Sequence, residues 1–588
     1  MIFVFAMAAA AKRSLGTEEE ARGLPKVRRV LEGTPTSANC TWRTLSQPLD
    51  HFARGTSPET FSQRACIFEG FVKEFPPKKA LFYCGNESPV DEYVNNTGLM
   101  WQVGEEIGAL LVFVEHRYEG ESVPRIEGVR DCLGYCTIEQ ALADYAKAVA
   151  WLRETYASSE LAVVAVGGSY GGMLAAWFRM KYPSATVGAI AASAPIWGLP
   201  TLDWILDGSS VAVARSFGVR GGQETDACRE NLLGAWPIIA HIGETAAGRD
   251  FLAETMHLCS PPASGRRLAA VIQNVFFDLA EANYPFASAY VTSAVGGADY
   301  PLPAWPIRAA CAKLQDPLVA VAGNVSAVEF SVKIDDLTVA VAWDEIASVA
   351  GDFNTSGVRD LLEGVAYVWQ TWCNVSGTLA CLEPTGCTTG RRRRRALALD
   401  VAASPSADDA CTAADYDGGS WTPLCCNDDL TLLNYYAQGM GRDGLYWPPN
   451  YPRNITASDV LGPYGSTGPG CSPPVGLAGY PPNSDPWSRW MIDEFGDRSA
   501  ALQTSNIVFS NGLLDPWSAA GVYRDFAPTE PAAYDGPNVQ NITDTVHAFI
   551  LDLGAHHLDL MFLHDTDPPC AWDARAFETA KIKAWLGS

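Results

Sequence analysis

Positive charge is scarce in this chain. Over 588 residues, 42 lysines and arginines face 67 aspartates and glutamates, for a net charge of −25. Such a surface argues against nucleic acid or anionic membrane as a partner, and it suits an acidic compartment, where part of the carboxylate repulsion is protonated away. Long apolar runs are missing too: beyond the N-terminus, no stretch approaches the roughly 20 residues of a membrane span. The 16 cysteines include no C-x-x-C pair. A zinc site therefore lacks its usual ligand spacing, and the cysteines are expected in disulfides. No metal, no cofactor and no internal repeat is indicated. With 48% hydrophobic and 19% charged residues, the composition excludes a disordered chain and predicts several structural units.

The N-terminus "MIFVFAMAAAAKR" has an apolar stretch and small residues but no leading positive charge. Residues 1–30 are read as a signal peptide or leader. Sequons begin at Asn39, Asn86, Asn95, Asn324, Asn354, Asn374, Asn454 and Asn541, which together with the cysteines fits passage through the secretory pathway to a lysosome, a vacuole or the exterior.

From Lys79 to Ala194 strand and helix patterns alternate. "ALFYCG" (80–85), "ALLVFVEHRY" (109–118), "LAVVAV" (161–166) and "TVGAIAAS" (186–193) read as buried strands. "TIEQALADYAKAVAWLRETY" (137–156) reads as an amphipathic helix whose buried face carries Ile138, Leu142, Tyr145, Val149 and Leu152, with Thr137 and Gln140 as a capping box. This alternation predicts an α/β fold with a mostly parallel sheet and helices on both sides. Strand patterns return at "NIVFS" (506–510) and "TVHAFILDL" (545–553). The expected division is a core over 31–197, a helical insertion over 198–365, a return to the core at 366–376, an exposed loop over 377–430 and the rest of the core over 431–588. The five arginines Arg391–Arg395 inside that loop fit a solvated loop, a processing site or a nuclear signal; the secretory features disfavour the last.

The heptapeptide "GGSYGGM" (167–173) follows the strand ending at Val166 and opens a helix that Pro183 stops. Strand, glycine turn and helix form the setting in which a G-x-S-x-G serine becomes a nucleophile. An ordinary strand–helix turn, or a phosphate-binding loop lacking its lysine, would also fit the local pattern. Partners decide between these. A serine needs a base, and the base needs an acid to fix its tautomer. "NGLLDPWS" places Asp515 just after one strand, and "GAHHLDL" places His556 and His557 just after another. The chain order Ser169, Asp515, His556 is that of an α/β-hydrolase. A turn residue before Pro516 and a surface-loop histidine are the plainer alternatives.

Longer stretches resemble a known family. "QPLDHF" (47–52), "NNTGLMW" (95–101), "VFVEHRYEGES" (112–122), "GGSYGGMLAAWFRMKYP" (167–183), "ASAPIW" (192–197), "NIVFSNGLLDPWS" (506–518) and "GAHHLDL" (554–560) are similar to the serine peptidases that include lysosomal Pro-Xaa carboxypeptidase, dipeptidyl peptidase II type enzymes and thymus-specific serine protease. The resemblance implies an α/β-hydrolase fold with a helical cap domain inserted over the active site, and peptide substrates with proline near a chain end. It assigns nucleophile, acid and base to Ser169, Asp515 and His556. It also implies an oxyanion hole from the Tyr170 N–H and the Gly85-Asn86 loop, a proline pocket with Met173 and Trp517, and Glu87 as a substrate-binding acid. Release of a C-terminal residue is the expected polarity, with release of N-terminal Xaa-Pro or Xaa-Ala dipeptides as the alternative. A lipase or esterase and a non-catalytic binding protein on the same fold are further alternatives, and both a monomer and a homodimer stay open. Ala519 and Ala520 stand where the family has glycines, and Met561 where it has arginine.

Overall fold

Six strands whose sequences are nearly unbroken apolar runs form the middle of one sheet, where both faces are covered and neither needs polar residues. The computed structural model describes residues 33–53, 59–124, 132–198, 208–290, 300–316, 356–387, 421–428, 430, 445–446, 490–524, 534 and 536–587. The leader 1–30, Arg391–Arg395 and the sequons at Asn324, Asn354 and Asn454 lie outside the described residues. The strands are β1 (Thr41–Pro48), β2 (Thr60–Phe68), β3 (Lys79–Cys84), β4 (Leu110–Val114), β5 (Ala162–Gly168), β6 (Gly188–Ala192), β7 (Ile507–Gly512), β8 (Val539–Asn541) and β9 (Val546–Leu551). They lie in the order β1-β2-β4-β3-β5-β6-β7-β9-β8. Pairs from β4 through β9 are parallel, and β1–β2, β2–β4 and β8–β9 are antiparallel.

Side chains alternate between the two faces of the sheet. Ala80, Phe82, Val163 and Ala165 pack with the helices Ile138–Thr155 and Tyr170–Lys181. Leu81, Tyr83, Val164 and Val166 pack with Gly98–Ile107 and Pro569–Leu586 on the other face. The helix expected over 137–156 forms at Ile138–Thr155, and its five face residues are buried. Its capping box is only half made. Thr137 Oγ1 accepts from Gln140 N at 3.3 Å, but the Gln140 side chain accepts from His51 N and donates to Asp50 instead.

The insertion supplies helices Gly208–Ser216, Ala227–Ile242, Ala246–Thr255, Gly265–Gln273 and Val275–Glu281. They share a second core, including Leu232, Trp236, Phe276 and Trp369, which continues into Leu551, Ala555 and Leu558 at the end of β9. Disulfides Cys228–Cys311, Cys259–Cys381 and Cys373–Cys387 tie this region, and Cys40–Cys66 ties the first strands. Cys84, Cys136, Cys425 and Cys570 are buried thiols.

Two expected boundaries need correction. Residues 366–373 do not return to the sheet, because they are the second half of the helix Ser356–Cys373, whose Leu362, Val365 and Trp369 join the insertion core. Nor is 377–430 exposed throughout. The helix Trp421–Asp428 docks on the sheet side, with Leu424 and Cys425 buried there. Its Asp428 Oδ2 accepts from Ile138 N at 2.7 Å, and its Asn427 Nδ2 donates to Cys136 O at 2.8 Å.

Candidate active site

Ser169 stands between β5 and the helix Tyr170–Lys181 with φ 59° and ψ −130°, a conformation strained for a residue with a side chain. The surrounding glycines permit that turn. A Cβ on Gly167 would run into the Gly171 carbonyl, and one on Gly168 would lie 2.8 Å from the His557 ring. Backbone bonds fix the turn at both ends: Ser169 N donates to Ala192 O at 2.9 Å, and Met173 N donates to Ser169 O at 3.0 Å.

Asp515 leaves β7 as the N-cap of the turn Pro516–Ala520. Its Oδ1 accepts from Trp517 N at 3.0 Å, which leaves Oδ2 free to meet His556 Nδ1 at 2.9 Å. A carboxylate only accepts, so Nδ1 carries the hydrogen and Nε2 is the nitrogen left for proton transfer. The neighbouring His557 takes another role. Its backbone N donates to Ser193 Oγ at 2.8 Å, its Nε2 meets the Tyr290 hydroxyl at 3.3 Å, and burial pushes its pKa well below the usual value.

Of the other expected site residues, Glu87 lies close enough to His556 to act on its charge and Trp517 is bonded to Asp515, whereas Gly85 departs from the expectation. The Gly85 N–H donates to Val114 O at 3.1 Å and is therefore spent. That leaves Asn86 as the remaining candidate for the oxyanion donor expected from the Gly85-Asn86 loop. Tyr170 is buried, with its hydroxyl 3.1 Å from His116 Nε2 and its ring edge-on to Trp421. Met173 is fully buried in the apolar cluster against which Trp517 packs. Glu87 has a buried, unpartnered Oε2, and burial pushes its carboxyl up to about 7, with Glu281 adding to the rise and Asn86 and His556 opposing it.

The insertion supplies residues that sequence reasoning did not identify. Glu281, at the end of the helix Val275–Glu281, places Oε1 3.5 Å from His556 Nε2 and accepts from Trp517 Nε1 at 3.3 Å. Its backbone carbonyl accepts from His556 N at 3.2 Å, and the Tyr284 hydroxyl donates to His556 O at 3.0 Å. Asp278, one turn earlier, is pushed up to about 7 by burial and by Glu281. Burial opposes a charged imidazole, but Asp515, Glu281 and Glu87 outweigh it and hold His556 up at about 9. Two acids at i and i+3 within the otherwise apolar "VFFDLAE" were the available sequence signal. Among the described residues, no group of three or more His, Cys, Asp or Glu is arranged to hold a metal ion, and no helix is long and apolar enough to cross a membrane.

A mostly parallel sheet, a strained serine between strand and helix, and acid and histidine on later strand ends define an α/β-hydrolase. The family model "Serine carboxypeptidase S28" matches residues 47–393, and the chain belongs to this family of serine-type peptidases. It is 32% identical over 548 residues to the lysosomal Pro-X carboxypeptidase of Homo sapiens, covering 92% of this chain and 87% of that protein. With the prolyl carboxy peptidase like protein 5 of Caenorhabditis elegans it shares 28% over 555 residues, covering 92% and 89%. Among solved structures, an esterase of Pyrococcus furiosus matches at TM-score 0.21 and 15% identity over 32% of this chain and 58% of that chain.

Proposed function

We propose that this peptidase cleaves after proline and releases the single residue beyond it from peptides ending in Pro-Xaa. The bond from His556 Nδ1 to Asp515 Oδ2, made on the strand ends that follow the Ser169 turn, carries the reading. Ser169 Oγ attacks the prolyl carbonyl while His556 Nε2 takes its proton. Asp515 holds the imidazole in the tautomer that can do so. The Tyr170 and Asn86 N–H groups face the oxyanion. His556 then protonates the departing amine, and water repeats the sequence on the prolyl-enzyme. The Trp517 indole and the Met173 thioether suit an apolar ring that offers no N–H. Kinship with Pro-X carboxypeptidases supports the proline preference and the carboxypeptidase polarity.

One observation favours the dipeptidyl alternative. Glu87 and Glu281 flank His556, and ionised carboxylates attract a free ammonium. Neutral Glu87 can instead donate a hydrogen bond to a C-terminal carboxylate. The described disulfides support an oxidising compartment, and the kinship supports a lysosomal, vacuolar or secreted destination.

Active-site labelling tests the nucleophile. A fluorophosphonate should modify Ser169, mapped by mass spectrometry, and modification of another serine would refute the assignment.

A further inference from the structure

Glu281 belongs to the insertion, yet one of its oxygens serves two parts of the site at once. Oε1 accepts the Trp517 indole N–H at 3.3 Å and lies 3.5 Å from His556 Nε2. Trp517 follows Asp515 by two residues, and its backbone N is already held by Asp515 Oδ1. Glu281 and Asp515 therefore grip the same two residues, Trp517 and His556, from opposite layers of the molecule. The indole is also fixed edge-on by Phe277, one helical turn before Glu281, at a ring separation of 5.3 Å.

We propose that Glu281 is a positioning residue of the hydrolase: a carboxylate from the insertion that ties the His556 imidazole to the Trp517 indole and sets the pH at which His556 becomes a base. This rests on reading His556 as the proton acceptor. An ionised carboxylate beside Nε2 stabilises the imidazolium, the form that cannot take a proton from serine. The groups facing this carboxylate are His556 and Asp515 from the strand ends, Trp517 from the turn after Asp515, Glu87 from the loop after β3, and Asp278 and Tyr284 from the insertion. Burial, with Asp515 adding, raises the Glu281 carboxyl above its ordinary range, and His556 opposes that rise.

Glu281→Gln separates the two roles, because the amide oxygen still accepts from the indole while the charge is gone. The backbone bond from His556 N to Glu281 O is kept in any variant. Against a peptide ending in Pro-Phe, the acid limb of kcat/KM for Glu281→Gln should move to lower pH by about 1 unit or more, with KM little changed above the limb. Glu281→Ala should show the same shift together with a several-fold higher KM, since the indole N–H loses this acceptor. The downfield proton shared by Asp515 and His556, followed by NMR through a pH titration, should report the same fall in the His556 pKa without any substrate. A Glu281→Gln protein with a wild-type melting temperature, whose acid limb and NMR titration superimpose on wild type, would overturn the inference. Failure of wild type to cleave any peptide would instead count against the functional reading, while the NMR titration would still judge the link from Glu281 to His556.

Discussion

Asp515 Oδ2 lies 2.9 Å from His556 Nδ1, whereas the adjacent His557 meets the Tyr290 hydroxyl and lays its ring against Gly168. Two neighbouring histidines thus have different partners. Ser169→Ala and His556→Ala should each lower kcat/KM by on the order of 10⁴–10⁶ and leave the fold intact, because members of such a unit fail together. His557→Ala should cost less, up to about a hundredfold, through looser placement of the serine turn. Steady-state kinetics on the three variants check this; an inactive His557→Ala beside an active His556→Ala would reverse the assignment.

Glu87 gives the polarity question a pH signature. Burial holds its carboxyl up at about 7, so it is neutral below that pH and charged above it. A neutral carboxyl can donate to a substrate carboxylate, while a charged one repels it and attracts an ammonium. Calorimetric binding of a Pro-Phe-ending peptide to Ser169→Ala should therefore weaken as pH rises from 6 to 8, by up to about tenfold per unit. Glu87→Gln should flatten the dependence. Binding that tightens over the same interval would favour the dipeptidyl alternative.

Asn86 should carry no glycan although it begins a sequon. It is 2% exposed, and a Cβ on Gly171 would come within 3.0 Å of its side-chain oxygen. Asn95 and Asn541 are exposed and open to modification. Glycopeptide mapping of active protein checks the contrast, and an occupied Asn86 would remove that loop from the active site.

A buried acid pair should make the fold sensitive to alkali. Glu578 is fully buried and faces Asp559, whose Oδ2 accepts from Ser510 Oγ at 2.6 Å, just beyond the histidine pair. Burial, and then Asp559, raise the Glu578 carboxyl well above its ordinary range, with Arg575 opposing. A carboxyl raised in the folded state contributes its full stability below its unfolded pKa of about 4.3 and loses it as pH climbs toward the folded value, by about 1.4 kcal/mol per unit. Wild type should lose on the order of 1–2 °C in melting temperature per pH unit across that window. Glu578→Gln should remove that slope, and calorimetric scans from pH 4 to 9 compare the two. Equal slopes would show that Glu578 does not carry the effect.

Local pattern made much of this molecule readable. The β4, β5, β6 and β7 strands were legible because a strand covered on both faces has no polar alternation to blur it. The positions of Ser169, Asp515 and His556 at strand ends were legible because each follows such a strand. Gln140 was misread as half of a capping box because nothing local shows that His51 and Asp50 compete for its amide. The second half of Ser356–Cys373 was misplaced because an amphipathic helix does not reveal which layer its apolar face meets. Glu281 was missed for the same reason, since its partners His556 and Trp517 lie more than 230 residues away. Only the fold brings them together.

Product analysis tests the central claim most directly. Peptides ending in Pro-Phe, with and without an N-terminal acetyl group, are incubated with the protein and with Ser169→Ala, and the products are weighed by mass spectrometry. The account predicts that wild type releases phenylalanine from both peptides at similar rates, and that Ser169→Ala releases none. Cleavage that stops on acetylation, with an N-terminal Xaa-Pro dipeptide released from the free peptide, would contradict it.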